Sequence, residues 1–294
     1  MLTGAFTAIV TPFRDGKVDF PAFRALIRRQ IAAGVSGIVP VGTTGESPTV
    51  SYDEHIEIIG HAVEYAAGKI HVMAGTGGNS TNEAVYLTER AAKAGADSTL
   101  QVAPYYNKPT QEGLFRHFAE VSRATKLPVI LYSIPSRCGV EIGVETTRRL
   151  SAASPRFIGM KEAGGNIERV TQLRAALGRK FSILCGDDAL TLPFMAAGAH
   201  GVISVASNII PRQIVQLTAA CARGDFAAAL KLHDQYYPLF KDLFIETNPG
   251  PVKAALALRG EIAEEYRLPM APLTEKSRQI LSATLKKFSL LKSA

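Results

Sequence analysis

Ala33-Gly34-Val35-Ser36-Gly37-Ile38 closes one element and opens another. Small residues run into a glycine, a short polar link follows, and β-branched apolar residues come next. A helix that stops at glycine and turns into a strand has this form. The same form recurs as Ala94-Gly95-Ala96-Asp97-Ser98-Thr99 and as Ala197-Gly198-Ala199-His200-Gly201-Val202. Each copy predicts a short αβ loop. Strands joined through helices run parallel, with right-handed crossovers.

Working outward from these loops, eight strand segments are expected at 4–13, 37–41, 70–74, 98–103, 128–134, 157–163, 181–185 and 201–205. Asp19 and Asn166 read as helix caps, and Ser51/Glu54 and Ser80/Glu83 as capping boxes. Pro211 fits the first turn of a helix, where its missing N–H costs nothing. Eight alternating pairs close naturally into a (β/α)8 TIM barrel. An open doubly wound sheet would carry a nucleotide loop after its first strand, and residues 6–13 contain none. The barrel with its catalytic site is assigned to 1–224. Residues 225–294 show only helical patterns (225–244, 251–265 and 274–290) and read as a C-terminal helical appendix packed on the barrel.

Bulk properties exclude several classes. The chain has 294 residues, 47% of them hydrophobic, and a net charge of +7. Its basic residues are scattered. The densest group (Lys276, Arg278, Lys286, Lys287 and Lys292) follows a helical pattern and reads as a solvated face rather than a nucleic-acid surface. Three cysteines, Cys138, Cys185 and Cys221, show neither a CxxC spacing nor an even count. Reduced thiols in the cytoplasm are therefore expected. The N-terminus lacks a basic stretch leading into an apolar run, and no apolar run reaches the length of a membrane span.

In a barrel, the C-terminal ends of the strands converge on one mouth. Those ends supply Thr43, Thr44, Glu46, Tyr105, Tyr106, Tyr132, Arg137, Lys161, Gly186 and Asp187. The set contains neither histidine nor metal-ligand spacing, which argues against metal-assisted and Ser/His mechanisms. Strand alternation puts Phe157, Gly159 and Lys161 on one face, Ile158 and Met160 on the other, and Ile130, Tyr132 and Ile134 together. An apolar wall favours a neutral amine, the form that adds to a carbonyl to make a Schiff base. Tyrosine and threonine hydroxyls can relay protons, and an arginine can grip a carboxylate with two parallel bonds. Taken singly, a strand-end lysine is more often a solvated terminus, each tyrosine a wet rim aromatic, and Arg137 a surface residue.

Taken together, Gly42-Thr43-Thr44-Gly45-Glu46, Tyr132 through Pro135-Ser136-Arg137, and Gly159-Met160-Lys161-Glu162 carry a resemblance. With Pro104-Tyr105-Tyr106-Asn107 and Asn248-Pro249, they resemble the dihydrodipicolinate synthase/N-acetylneuraminate lyase family of pyruvate-dependent class I aldolases over nearly the whole chain. The paired threonines and Pro135-Ser136-Arg137 are similar to the synthase branch. The resemblance implies a cofactor-free condensation of pyruvate with L-aspartate 4-semialdehyde. The alternative is a related aldolase or lyase acting on a sugar-derived keto acid. It implies Lys161 as the Schiff-base residue, Tyr132 as general acid/base, and Thr43 and Tyr106 as the rest of the relay, with Tyr106 entering a neighbouring subunit's site. Thr44, Arg137, Gly186 and Ile203 would contact substrates. Ser47, His55, Asn79, Glu83 and Tyr105 would correspond to an L-lysine feedback site. The implied assembly is a homotetramer, a dimer of tight dimers.

Overall fold

The computed structural model describes residues 1–291, so Lys292 lies outside them. In chain order the elements are β1 (Gly4–Ala8), β2 (Phe13–Arg14), β3 (Lys17–Val18), α1 (Phe20–Ala33), β4 (Gly37–Val39), α2 (Tyr52–Ala66), β5 (His71–Gly75) and α3 (Thr81–Lys93). Then come β6 (Ser98–Val102), α4 (Gln111–Arg123), β7 (Val129–Ser133), α5 (Pro135–Cys138), α6 (Val144–Ala153), β8 (Phe157–Glu162) and α7 (Glu168–Leu177). The chain ends with β9 (Ser182–Cys185), α8 (Thr191–Ala196), β10 (Gly201–Ser204), α9 (Pro211–Ala222), α10 (Phe226–Asp242), α11 (Gly250–Leu258) and α12 (Glu275–Lys287). Among the described residues, eight strands close a barrel in the order β1-β10-β9-β8-β7-β6-β5-β4. The pairings are parallel throughout the barrel. The fold is a TIM barrel with additional C-terminal helices. No helix among the described residues is long and apolar enough to cross a membrane.

The three repeated loops share one hydrogen-bond pattern. Gly34, Gly95 and Gly198 take φ of 78°, 89° and 102°. Their amides donate to Ile31, Ala92 and Met195 (3.0, 3.1 and 3.0 Å), and the next residue donates to Gln30, Ala91 and Phe194 (3.4, 3.1 and 2.9 Å). This is the Schellman stop, which a left-handed glycine makes cheaply. The following residue then enters the barrel: Ser36 donates to Ala5, Asp97 to Val72 and His200 to Ile183, at 2.7, 3.0 and 2.7 Å. The same six-residue unit thus ends a helix and sets a strand's register.

Local differences from the sequence reading have local causes. β1 stops at Ala8, and a hairpin follows whose turn, Asp15-Gly16, has positive φ at both residues (53° and 77°). Such a turn matches the twist of two antiparallel strands. The Ser51/Glu54 capping box forms in full, but Ser80 accepts only a long 3.5 Å bond from Glu83 N, without the reciprocal bond. Asn166 accepts from Glu168 N at 2.9 Å, and the helix begins after it. α11 ends at Leu258 because Gly260, with φ 68°, closes another Schellman stop (Gly260 N to Ala257 O 2.8 Å, Glu261 N to Leu256 O 3.0 Å).

Two apolar layers hold the barrel. Phe6, Ala8, Val39, Met73, Leu100, Ile130, Leu184 and Ile203 fill its interior. A larger shell between strands and helices includes Leu131, Phe157, Met160, Ile183 and Val202. The β7–β8 register slips between Val129 and Ile130 of β7, which pair with Phe157 and Gly159 of β8 and leave Ile158 as the extra residue. This bulge turns Phe157 to the helix layer and sets Ile158 against the interior. Simple alternation therefore fails at the base of the strand. It holds at the mouth, where Gly159 and Lys161 lie on the face opposite Met160.

Candidate active site

A cavity of about 230 Å³ opens at the C-terminal mouth. Val41, Gly42 and Thr43 after β4, Tyr105 after β6, Tyr132 of β7 and Arg137 of α5 line it, with Ser47 and Pro48 at one edge. The loop after β4 folds on itself. Gly42 O accepts from Gly45 N (3.0 Å) and Ser47 N (3.3 Å), and Thr43 O from Glu46 N (3.1 Å). A Cβ on Gly45 would fall 2.8 Å from Val41 N, so only glycine fits there. Among the described residues, the amides of Thr43 and Thr44 donate to no protein acceptor. Adjacent free N–H groups in a tight turn can bind an anion.

Lys161 and Tyr132 are register partners on β8 and β7. Lys161 is only 7% exposed, and its Nζ lies 4.2 Å from the centre of the Tyr132 ring. The amine thus rests on the ring face. Lys161 joins no ion pair among the described residues, as Glu162, on the other face of β8, pairs with Arg169 at 2.9 Å. On the far side, a Cβ on Gly186 would sit 3.1 Å from Lys161 Cε, so a glycine there leaves the lysine its space. A Cβ on Gly159 would strike Ser182 O at 2.6 Å; that glycine serves the close approach of β9 rather than clearing space for the lysine.

The other sequence-predicted residues divide between two places. Ile203 is buried in the barrel interior, register partner of Phe6. The segment after Gly186 is fixed by Asp188, whose carboxylate accepts from the Ser204 hydroxyl and from Val205 and Ala206 N (3.0 and 2.9 Å). Burial pushes its pKa up to about 6. Tyr106, with φ 71°, is 90% exposed and does not line this chain's cavity. Arg137 is exposed and donates through Nη2 to Asn248 O at 3.2 Å.

Residues of the implied lysine site follow the neighbouring barrel strands β4, β5 and β6. Ser47 and Tyr105 line the cavity. Asn79 O accepts from Asn107 Nδ2 at 2.9 Å, and Glu83 lies beside Gly78. His55 is buried, its Nε2 donating to Gly75 O at 2.7 Å. Burial lowers its pKa from 6.5 to about 4, partly opposed by that bond. Between those values the unfolded chain binds the proton and the folded chain does not. This contribution to stability is present above pH 6.5 and is lost as pH falls towards 4. Its size is roughly 3 kcal/mol. His55→Gln is expected to flatten the stability–pH curve in that window, measured by urea titration at several pH values; an unchanged slope would contradict the assignment.

The C-terminal helices also support the site. Glu46 follows the threonine loop and is buried against Lys253 of α11, Oε1 to Nζ 2.5 Å. Lys253 Nζ also lies 4.2 Å from the centre of the Phe13 ring. A lone lysine in the apolar run Val252-Lys253-Ala254-Ala255-Leu256 was the available signal, since such a charge must be paired. Asn248 Nδ2 donates to Thr44 Oγ1 at 3.0 Å.

Comparison with known proteins agrees with this geometry. The chain is 50% identical over 275 residues to a 4-hydroxy-tetrahydrodipicolinate synthase of Bradyrhizobium diazoefficiens, covering 94% of this chain and 93% of the relative. The structure of the synthase of that name from Methylacidiphilum fumariolicum SolV matches with a TM-score of 0.97 at 52% identity, covering 98% of this chain and 96% of the other. The crystal structure of dihydrodipicolinate synthase from Aquifex aeolicus matches with a TM-score of 0.98 at 47% identity, covering 99% and 100%. The model of the dihydrodipicolinate synthetase family matches residues 1–288, and the chain belongs to that family.

Proposed function

We propose that this chain condenses pyruvate with L-aspartate 4-semialdehyde to (4S)-4-hydroxy-2,3,4,5-tetrahydrodipicolinate, a step of lysine and diaminopimelate biosynthesis. The observation that carries the reading is the buried Lys161 amine resting on Tyr132 at the strand ends, in a chain about half identical to enzymes of that name. A crystal structure of the Acinetobacter baumannii synthase holds pyruvate; it is 41% identical to this chain with a TM-score of 0.96.

Lys161 Nζ adds to C2 of pyruvate, and loss of water gives the imine. Removal of a C3 proton gives the enamine, whose C3 attacks the aldehyde carbon of the second substrate. The amino group of that substrate then displaces Lys161 from C2 and closes the ring. One water leaves overall. Tyr132 acts as general acid/base, with Thr43 and a neighbouring subunit's Tyr106 completing the relay. The exposed Tyr106 of this chain supports such an exchange between subunits. The free amides of Thr43 and Thr44 hold the pyruvate carboxylate, Arg137 holds that of the semialdehyde, and Gly186 and Ile203 contribute backbone contacts.

The enzyme works in the cytoplasm as a homotetramer of tight dimers. Residues 225–291 buttress the barrel mouth rather than forming an independent unit, as the Lys253–Glu46 and Arg267–Glu54 pairs support. L-lysine acts at Ser47, His55, Asn79, Glu83 and Tyr105; a Cyanidioschyzon merolae relative, 39% identical, has been crystallised with lysine bound.

Arg137 separates this reaction from cleavage of a sugar-derived keto acid, which presents hydroxyls in place of the second carboxylate. Arg137→Ala is expected to raise KM for the semialdehyde about 10- to 100-fold, the worth of a charged hydrogen bond, while KM for pyruvate changes little. A condensation assay checks it. An unchanged semialdehyde KM, or preferential cleavage of a sugar-derived keto acid, would overturn the reading.

A further inference from the structure

We propose that Asn248 is a positioning residue that joins the two substrate subsites, so that the pyruvate cradle and the carboxylate-binding arginine are held in one frame. The inference rests on the condensation reading above. Asn248 is 5% exposed and reaches both subsites from the segment before α11. Its Nδ2 donates to Thr44 Oγ1 at 3.0 Å, and its backbone carbonyl accepts from Arg137 Nη2 at 3.2 Å. One residue thus touches the loop after β4 and the helix after β7.

The segment carrying it is firmly tied. Gly250 N donates to Thr247 O at 2.9 Å, Lys253 N to Pro249 O at 3.0 Å, and the Tyr266 hydroxyl to Gly250 O at 3.2 Å. Lys253 then grips Glu46, two residues beyond Thr44. The frame therefore holds the threonine loop at two points. Arg137 is a long exposed side chain, and the bond to Asn248 O is its one hydrogen bond among the described residues. Without that acceptor its guanidinium would sample many rotamers.

A second observation concerns the amide itself. Asn248 Oδ1 is buried and has no hydrogen-bond partner among the described residues. An unfilled buried acceptor costs stability. Stability alone is thus a poor reason for an asparagine here; placing Thr44 and Arg137 relative to each other is a better one. Condensation needs two carbon atoms brought to near-attack distance, and small errors between the two binding groups are expensive.

The test is steady-state kinetics of Asn248→Ala and Thr44→Val with both substrates, in wild-type and Arg137→Ala backgrounds, beside thermal midpoints. N248A removes the bond to Thr44 but keeps the main-chain carbonyl that accepts from Arg137; with that carbonyl no longer anchored, it is expected to raise the semialdehyde KM about 3- to 10-fold, the worth of one neutral hydrogen bond. In the Arg137→Ala background it should raise that KM no further, because the group it positions is gone. T44V breaks the same link from the other end and should also raise the semialdehyde KM, although Thr44 serves pyruvate. T44V decides the matter if N248A fails to fold. Semialdehyde KM values within about twofold of the parent in both variants, or an equal further rise in the Arg137→Ala background, overturn the proposal. A lowered thermal midpoint with unchanged KM reduces Asn248 to structural glue and overturns it too. A wild-type enzyme that fails to condense the two substrates is a different failure: it overturns the assigned reaction, and this inference falls with it.

Discussion

Replacing Lys161 by alanine is expected to lower kcat by about four orders of magnitude or more, because the variant has no amine to form the imine. Lys161→Arg should be equally inactive, since a guanidinium stays charged and does not add to a carbonyl. The fold should survive. Lys161 makes no ion pair among the described residues, so its removal leaves no buried counter-charge behind, in contrast to Glu162 and Arg169 behind it. Circular dichroism and a thermal midpoint close to the parent's would show this, and a condensation assay would show the lost turnover. A variant that kept more than about a hundredth of the parent kcat would mean that another group carries the chemistry.

The second large effect lies away from the reacting atoms. Lys253→Met is expected to destabilise the folded chain by about 3–5 kcal/mol, because it leaves the Glu46 carboxylate buried and unpaired. Lys253 and Glu46 are essentially inaccessible, and burial pulls the Lys253 pKa down while Glu46 pushes it back up. Breaking such a pair costs more than replacing it, so the double variant Glu46→Leu/Lys253→Met should recover most of the loss. Urea midpoints of the three proteins measure both statements. A Lys253→Met protein within about 1 kcal/mol of the parent would show that the pair is solvated or dispensable. Because Glu46 ends the loop that carries Thr43 and Thr44, the single variant should also weaken pyruvate binding.

The elements most legible in the sequence were those with local physics. Ala33–Ile38 and its two repeats gave both a helix stop and a strand start, and the Schellman bonds at Gly34, Gly95 and Gly198 explain why. The Ser51/Glu54 box was equally local. Lys161 and Tyr132 were legible because strand ends meet at one mouth, a property of the fold rather than of either residue. What failed needed information from elsewhere in the chain. The bulge at Ile158 is set by the pairing of β8 with β7, so alternation alone put Phe157 on the wrong face. The exception is local: Asp15-Gly16, between the expected strand 4–13 and the Asp19 cap, carries a hairpin signal of its own. Asn248 and Glu46–Lys253 connect positions more than 200 residues apart, and no periodicity reports such contacts.

The Schiff base itself can be caught. Incubating the protein with pyruvate, reducing with borohydride and mapping the peptides by mass spectrometry tests the central claim most directly. The account predicts one reduced pyruvyl adduct, on Lys161, and loss of activity in proportion to its formation. Absence of an adduct, or an adduct on another lysine with Lys161 unmodified, would contradict it.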